Sequence, residues 1–362
     1  MKLSKGIYES VIKKIIAEDM NALGDSSYFH TRGIDKEEGN IVLSGYMSKV
    51  IDKALRRITG ENKLNVQVDL CNKIIRMLIE ELDISDFDEY TNSEEARLLL
   101  AMLDKMDTTL IDDYTNKKVR PITSIAANTL FTGAQNEPSL GSELIKEINT
   151  SDRIDMLVSF IKWSGLSQIY EALKKFTTNK KLRVITTSYM GASDYKAIFE
   201  LSKLPNTEIK ISYDTKRTRL HSKSYMFYRY TGFSTAYIGS SNLSNAALTS
   251  GLEWNLKISE HTSKDIIKKF RATFDTYWHE SEFCTFNKDD EGDRDKLRIA
   301  LNSNKDVQRD KEFYFEIILY SHQIEILDKL QAEREIHNRY KNHSLTTVWE
   351  QPGSHVTKAA DQ

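Results

Sequence analysis

Two short runs in this sequence bring together side chains suited to phosphate chemistry. The first is Leu220-His221-Ser222-Lys223-Ser224-Tyr225-Met226-Phe227-Tyr228, and the second is Tyr237-Ile238-Gly239-Ser240-Ser241-Asn242. Both read as strands, and strand side chains alternate faces, so His221 and Lys223 point the same way. An imidazole beside an ammonium suits nucleophilic attack on a phosphodiester. The ring nitrogen supplies the nucleophile and the ammonium holds charge on the phosphate oxygens. Gly239, Ser240, Ser241 and Asn242 read as a tight strand-to-helix turn that could hold those oxygens, and a helix beginning near Ser244 would add amides and a dipole. A His-x-Lys pair alone is common by chance. His221 also fits a satisfied core histidine, and the Gly-Ser-Ser-Asn run an ordinary capped turn.

Local charge points to the same substrate class. Lys216, Arg217 and Arg219 run directly into His221, and Lys174, Lys175, Lys180, Lys181 and Arg183 crowd another edge. Such clusters supply phosphate contacts without reading sequence. The second cluster fits solvated helix ends equally well. The chain as a whole is not basic: its formal net charge is −2 over 362 residues. Any nucleic-acid surface must therefore be local. Cys71 and Cys284 form no disulfide or metal pattern and are expected as reduced thiols in a cytoplasmic protein. No apolar run approaches membrane-spanning length, so no membrane partner is expected.

The elements that must position these residues change character along the chain. Apolar residues recur at helical spacing over 7–16, 50–58, 64–82 and 98–103, which predicts a helical amino-terminal domain over 1–118 with these stripes as its core. After Pro121, strand-like runs at 154–161, 182–187, 209–213, 220–228, 237–242 and 253–258 alternate with helical patterns at 166–176, 195–204 and 263–278. That alternation predicts an α/β domain with a mixed sheet over 122–285. Residues 286–312 read as a charged linker, 313–341 as helical, and 342–362 as a tail without periodicity.

Together, His221-x-Lys223 and Gly239-Ser240-x-Asn242 resemble the paired motif of the phospholipase D superfamily. The usual acidic residue five places after the lysine is Tyr228 here, and Glu253 in Gly251-Leu252-Glu253-Trp254-Asn255 resembles the glutamate that some nuclease branches use instead. Asn128-Thr129-Leu130-Phe131-Thr132-Gly133 and Ser159-Phe160-Ile161-Lys162-Trp163-Ser164-Gly165 are similar to the phospholipase D-like domain found near the amino terminus of bacterial DEAD/DEAH-type restriction and defence helicases. Leu319-Tyr320-Ser321-His322-Gln323-Ile324 resembles the lead-in to such a motor, but no Gly-x-Gly-Lys-Thr loop follows. ATP hydrolysis by this chain is therefore not expected.

This resemblance implies a phospholipase D-like mixed β-sheet flanked by helices and preceded by an all-helical region. It further implies a hydrolase of phosphodiester bonds, a DNA endonuclease (RNA being the other substrate left open), acting in restriction or anti-phage defence without metal or cofactor. His221, Lys223, Ser240, Asn242 and Glu253 would be catalytic; Gly239, Ser241, Lys216, Arg217 and Arg219 would hold substrate. One histidine attacks phosphorus, a second protonates the leaving oxygen, and Glu253 orients His221. None of the other seven histidines has a lysine two places on. A homodimer pooling two copies of His221 is thus expected, with a separate helicase or ATPase as a further partner. The competing expectation is a module that binds nucleic acid or docks on a motor without catalysis.

Overall fold

The computed structural model describes residues 3–92, 97–103, 119–214, 220–249 and 251–302. Two compact units divide the chain, Met1–Asp104 and Lys105–Gln362. The first contains helices α1 (Lys14–Leu23), α2 (Gly39–Arg57) and α3 (Lys63–Leu82), followed by a short 3-10 helix, Ser85–Tyr90. Gln67 of α3 donates to the carbonyl of Leu55 in α2 at 2.9 Å, and Asn72 exchanges hydrogen bonds with Asn92. Helices α2 and α3 cover the expected stretches 50–58 and 64–82 to within one residue, whereas the first, expected over 7–16, begins only at Lys14; the expected core does not form, and no residue of α1, α2 or α3 is buried. Of the expected stripes, Val50, Leu64, Leu78 and Leu82 are exposed, and Ile51, Leu55, Val68, Ile74 and Ile75 are half-buried. Residues 97–103, expected as a fourth helix, are irregular. Periodicity reports that a helix has an apolar face; burial needs a partner for that face.

The second unit is built on one eight-stranded sheet, ordered β1-β7-β6-β5-β2-β3-β4-β8. Its strands are β1 (Thr129–Phe131), β2 (Arg153–Val158), β3 (Lys181–Thr187), β4 (Thr207–Ser212), β5 (Lys223–Tyr228), β6 (Thr235–Gly239), β7 (Asn255–Ser259) and β8 (Phe283–Thr285). β2, β3 and β4 run parallel, and every other pairing is antiparallel. Helix α4 (Leu140–Thr150) precedes β2, α5 (Trp163–Thr177) and α6 (Tyr195–Ser202) are the parallel crossovers, α7 (Asn245–Leu248) lies between β6 and β7, and α8 (Lys264–His279) leads to β8. The expected mixed α/β fold is what forms.

Side-chain alternation sorts the two faces. Ile154, Met156, Val158, Val184, Ile209, Tyr225 and Phe227 meet α4, α5 and α6 in the main core through Leu144, Ile148, Leu166, Ile169 and Ile198. On the reverse face Leu157 and Ile185 pack under Phe274 and Trp278 of α8, and Met226, Ala236 and Ile258 under Ile267. Helix α4 was missed at the sequence level although Leu140, Leu144 and Ile148 carry its stripe and Ser139 caps it, accepting from the Ser142 amide at 3.3 Å. Residues 291–302 are helical (α9), and Leu297 and Leu301 are buried in the main core. Two leucines four apart are enough to anchor a helix that a charge-rich composition disguises as a linker. The stretches 313–341 and 342–362 lie outside the described residues.

Candidate active site

The site is assembled from strand ends. β2 finishes at Val158 opposite the first residue of β5, Lys223, while β6 finishes at Gly239 opposite the first residue of β7, Asn255. Ser224 pairs with Ile238, so one step further Lys223 lies across from Gly239. The two runs singled out in the sequence therefore meet at one end of the sheet, where the parallel strands have their carboxyl ends.

His221 is exposed, whereas Lys223 retains only 6% of its surface. The lysine Nζ stands 3.0 Å from Nδ1 of His221 and donates to the His221 carbonyl at 2.8 Å. Phe160 meets the imidazole edge-on, with ring centroids 6.5 Å apart. The amide and hydroxyl of Ser159 both donate to the Ser222 carbonyl, at 3.0 and 3.1 Å, which fixes the backbone between histidine and lysine. Burial lowers the pKa of Lys223 below that of an ordinary lysine, and the nearby charge of Glu253 works against that shift.

The turn after β6 divides its residues between surface and interior. Ser240 is exposed; its hydroxyl donates to the Glu253 carboxylate and accepts from the Trp254 amide at 3.1 Å. Asn242 accepts from the Phe160 amide at 3.1 Å through Oδ1, which leaves its Nδ2 hydrogens as donors. Ser241, expected against substrate, is fully buried. Its hydroxyl accepts from Asn255 Nδ2 at 2.8 Å and its carbonyl from the Tyr225 hydroxyl at 2.9 Å, so it braces the turn from inside. Tyr225 keeps its proton for that bond because burial, with the Glu253 charge adding to it, raises its pKa far above the ordinary phenol. Gly239 is glycine for contact: a Cβ there would collide with the Trp254 carbonyl and lie 2.7 Å from the Asn255 Cα. Gly165 plays the same part where α5 crosses the backbone of Leu243 and Ser244.

Position 228 explains the missing acid. It lies five residues beyond Lys223 and so faces the opposite side of the sheet. The Tyr228 hydroxyl donates to Asp155 on β2 at 2.6 Å, and Arg153 covers its ring at 3.8 Å. Asp155 also takes both arms of Arg183, at 2.8 and 2.7 Å. A carboxylate is thus present on the neighbouring strand, serving the packing under α8.

Other expected contributors fall elsewhere. Lys216, Arg217 and Arg219 lie outside the described residues. The cluster around Lys180, Lys181 and Arg183 starts β3, at the far end of the sheet from His221. Lys180 donates to the Ser151 carbonyl, Lys181 pairs with Glu208 at 2.8 Å, and Arg183 is buried between Asp155 and Asp275. Those charges are spent on the fold. The helix after Ser244 is a single turn, too short to carry a useful dipole. Trp254 is largely exposed beside Glu253. Sequence reasoning passed over Phe160, Tyr225 and Asn255, which hold the turn, and Lys162, whose amide donates to the Leu243 carbonyl at 2.8 Å while its ammonium pairs with Asp194 at 3.5 Å.

Residues 144–278 match the family model described as cardiolipin synthase, PLD-like domain. That span is less than half of the chain and includes every described residue of the site. A search of curated proteins finds no match. Among solved structures, NucT from Helicobacter pylori aligns at 19% identity over 41% of this chain and 94% of its own, with a TM-score of 0.32. Nuc from Salmonella typhimurium, a phospholipase D family member, aligns at 16% identity over 44% and 99%, TM-score 0.33. Phosphatidylserine synthase from Haemophilus influenzae aligns at 10% identity over 52% and 46%, TM-score 0.34. Residues 144–278 are thus similar to a phospholipase D-like domain, and they lie in a mixed α/β sheet flanked by helices. No described helix is long and apolar enough to cross a membrane.

Proposed function

We propose that this protein is a metal-independent phosphodiesterase that cleaves DNA through a phosphohistidine, at a site completed by a second copy of the chain. The observation that carries this reading is the exposed imidazole of His221, braced at 3.0 Å by the nearly buried ammonium of Lys223. An ammonium drawn out of water has few partners to give up when a phosphate arrives, which makes it an efficient clamp for phosphate charge.

The side chains also suggest how the nucleophile is switched on. As they stand, Lys223 donates to Nδ1, so the ring proton sits on Nε2. An incoming phosphate is the stronger acceptor and takes the ammonium for itself. Nδ1 is then free to hold the ring proton, with Glu253 as its acceptor, and Nε2 turns its lone pair to phosphorus. The P–N bond forms as the P–O bond to the leaving strand breaks, and His221 of the second copy gives that oxygen its proton. Water next attacks phosphorus, losing its proton to that same imidazole, and the P–N bond breaks. Asn242 Nδ2 and Lys223 carry the charge on the equatorial oxygens throughout. A cytoplasmic role in restriction or anti-phage defence, alongside a separate helicase or ATPase, rests on the sequence resemblance to defence helicases.

The test uses the full chain with supercoiled plasmid and with oligonucleotides in excess EDTA, beside His221→Ala. Cleavage that persists under chelation and is lost in the variant is the expected result. Cleavage abolished by EDTA would overturn the mechanism, and binding without cleavage in both proteins would favour a non-catalytic module.

A further inference from the structure

Six residues that stand out in the sequence, Asn128 to Gly133, precede the 144–278 family match, and the site above uses none of them. They form a splint along β7. That strand turns Asn255, Lys257 and Ser259 inward and leaves Leu256 exposed, so apolar packing does little to fix it beyond Ile258. At one end Asn128 Oδ1 accepts from the Ser259 amide at 2.8 Å and the Thr262 hydroxyl at 2.9 Å. β1 then pairs with β7 residue by residue, from Thr129 opposite Lys257 to Phe131 opposite Asn255. At the other end Gly133 meets the loop that carries Glu253. Its φ is +74°, and a Cβ there would lie 2.5 Å from the Gly251 carbonyl oxygen and 3.3 Å from the Leu252 Cα. That same carbonyl accepts from the Glu253 amide at 2.8 Å, and the Gly251 amide donates to the Ala246 carbonyl of α7 at 2.6 Å. Leu252 is 84% exposed and gives the loop little packing of its own. Glu137 fixes the turn around Gly133, accepting from the Thr132 amide at 2.7 Å and the Thr132 hydroxyl at 3.1 Å. Those bonds, joined by the Ala134 and Gly133 amides, hold its carboxyl below the usual carboxylate range.

We infer that Gly133 and Glu137 are positioning residues for the reaction: they set loop 251–253, and with it the Glu253 carboxylate, against Ser240 and Lys223. The inference rests on Glu253 acting in the proposed site. The Gly251 peptide is held on one side by α7 and on the other by Gly133, and the Glu253 amide is bonded to it. The Glu253 carboxylate accepts from the Ser240 hydroxyl, and its charge bears on Lys223. A side chain at 133 would push the Gly251 peptide away and carry that carboxylate with it. Removing the Glu137 carboxylate would take the acceptor from the Thr132 amide and loosen the same turn. The working catalytic unit therefore begins at β1, upstream of the matched residues.

NMR of the full chain with isotope-labelled lysine tests this, the Lys223 signal being assigned through Lys223→Arg. The Glu253 charge raises the Lys223 pKa against burial, so a displaced Glu253 lowers the pH at which Lys223 titrates. The cross-strand neighbours Val158 and Gly239 are uncharged, and His221 is common to every variant, so the shift reports Glu253. Glu253→Gln sets its size. Gly133→Ala should move the titration the same way, and adding it to Glu253→Gln should move it no further. Gly232→Ala is the control: φ there is +83° with open space at the Cβ position, so it brings comparable backbone strain, pushes on nothing and should titrate as wild type. Should Gly133→Ala not fold, Glu137→Ala decides, with a shift of the same sign. Wild-type titration in folded Gly133→Ala or Glu137→Ala would overturn the inference, as would a further shift on the Glu253→Gln background. In cleavage, Gly133→Ala should lower kcat by up to about 100-fold and leave KM near wild type, the mark of a misplaced catalytic group. The titration needs no substrate, so a chain that cuts nothing would sink the proposed reaction while the Lys223 shift still decides the positioning.

Discussion

The two halves of the sheet are stabilised by different physics. In the parallel half, the face of β2, β3 and β4 under α5 and α6 buries Ile154, Met156, Val184 and Ile209 and is mostly hydrocarbon, the buried Asp155–Arg183 pair lying on the opposite face. In the antiparallel half the interior is ionic. Glu147 is fully buried and accepts from Arg229, Tyr237 and Thr235, at 2.6, 2.9 and 2.8 Å, while Lys257 pairs with it at 2.9 Å. The two cations hold the Glu147 pKa below the usual carboxylate range against the opposing effect of burial. Beside it Glu143 accepts from the amides of Ile122 and Thr123 at 2.8 and 3.2 Å, with its pKa raised chiefly by burial. The half that carries Lys223, Gly239, Ser240 and Asn255 is the half held by directional bonds. Apolar packing fixes where a layer sits; hydrogen-bonded charge also fixes orientation, which a phosphate site needs.

Three substitutions probe that contrast, in order of expected effect. Glu147→Ala should cost about 3–5 kcal/mol, because Arg229 and Lys257 would remain buried without a counter-charge. Urea unfolding measures it, and a loss below about 1 kcal/mol would mean that water reaches the cluster, removing the distinction between the halves. Ile169→Ala in α5, whose side chain is fully buried, should cost about 2–4 kcal/mol by leaving a cavity. It should leave the pH profile of cleavage unchanged; a shifted profile would show that the parallel half also tunes the site.

The smallest effect is electrostatic. Lys223 must be charged to clamp phosphate, and burial lowers its pKa while Glu253 opposes that change. Activity should therefore fall on the alkaline side as pH rises through the pKa of Lys223, at a lower pH than for an ordinary lysine. Glu253→Gln removes the opposing charge, so that limb should move to still lower pH in addition to any loss of rate. An alkaline limb that does not move would show that Lys223 is not the group titrating there.

Much of this architecture was legible because it is local. The strands around 154, 182, 209 and 223 and the helices of 163–177 and 264–279 announce themselves through alternation and 3.6-residue spacing. The pairing of His221 with Lys223 follows from strand geometry alone. What escaped was whatever depends on partners distant in sequence. Ser241 is as polar as Ser240, and only the arrival of Tyr225 and Asn255 from two other strands turns it inward. Lys181 and Arg183 look like a phosphate track until Glu208, Asp155 and Asp275 close on them. The stripes of α1, α2 and α3 look like core, yet no residue of those helices is buried.

The sequence by itself determined that an imidazole and an ammonium share one strand face, that a Gly-Ser-x-Asn turn exists, and that strands alternate with helices around them. Those are consequences of short-range stereochemistry, which a chain carries whatever its surroundings. The tertiary structure decided that Lys223 is buried while His221 is open, that Glu253 meets Ser240, and that Tyr228 faces away from the site. It also decided that β7 turns its polar residues inward and its apolar residues out. Burial and pairing depend on which distant segments arrive at the same place, and pattern along one strand cannot state that.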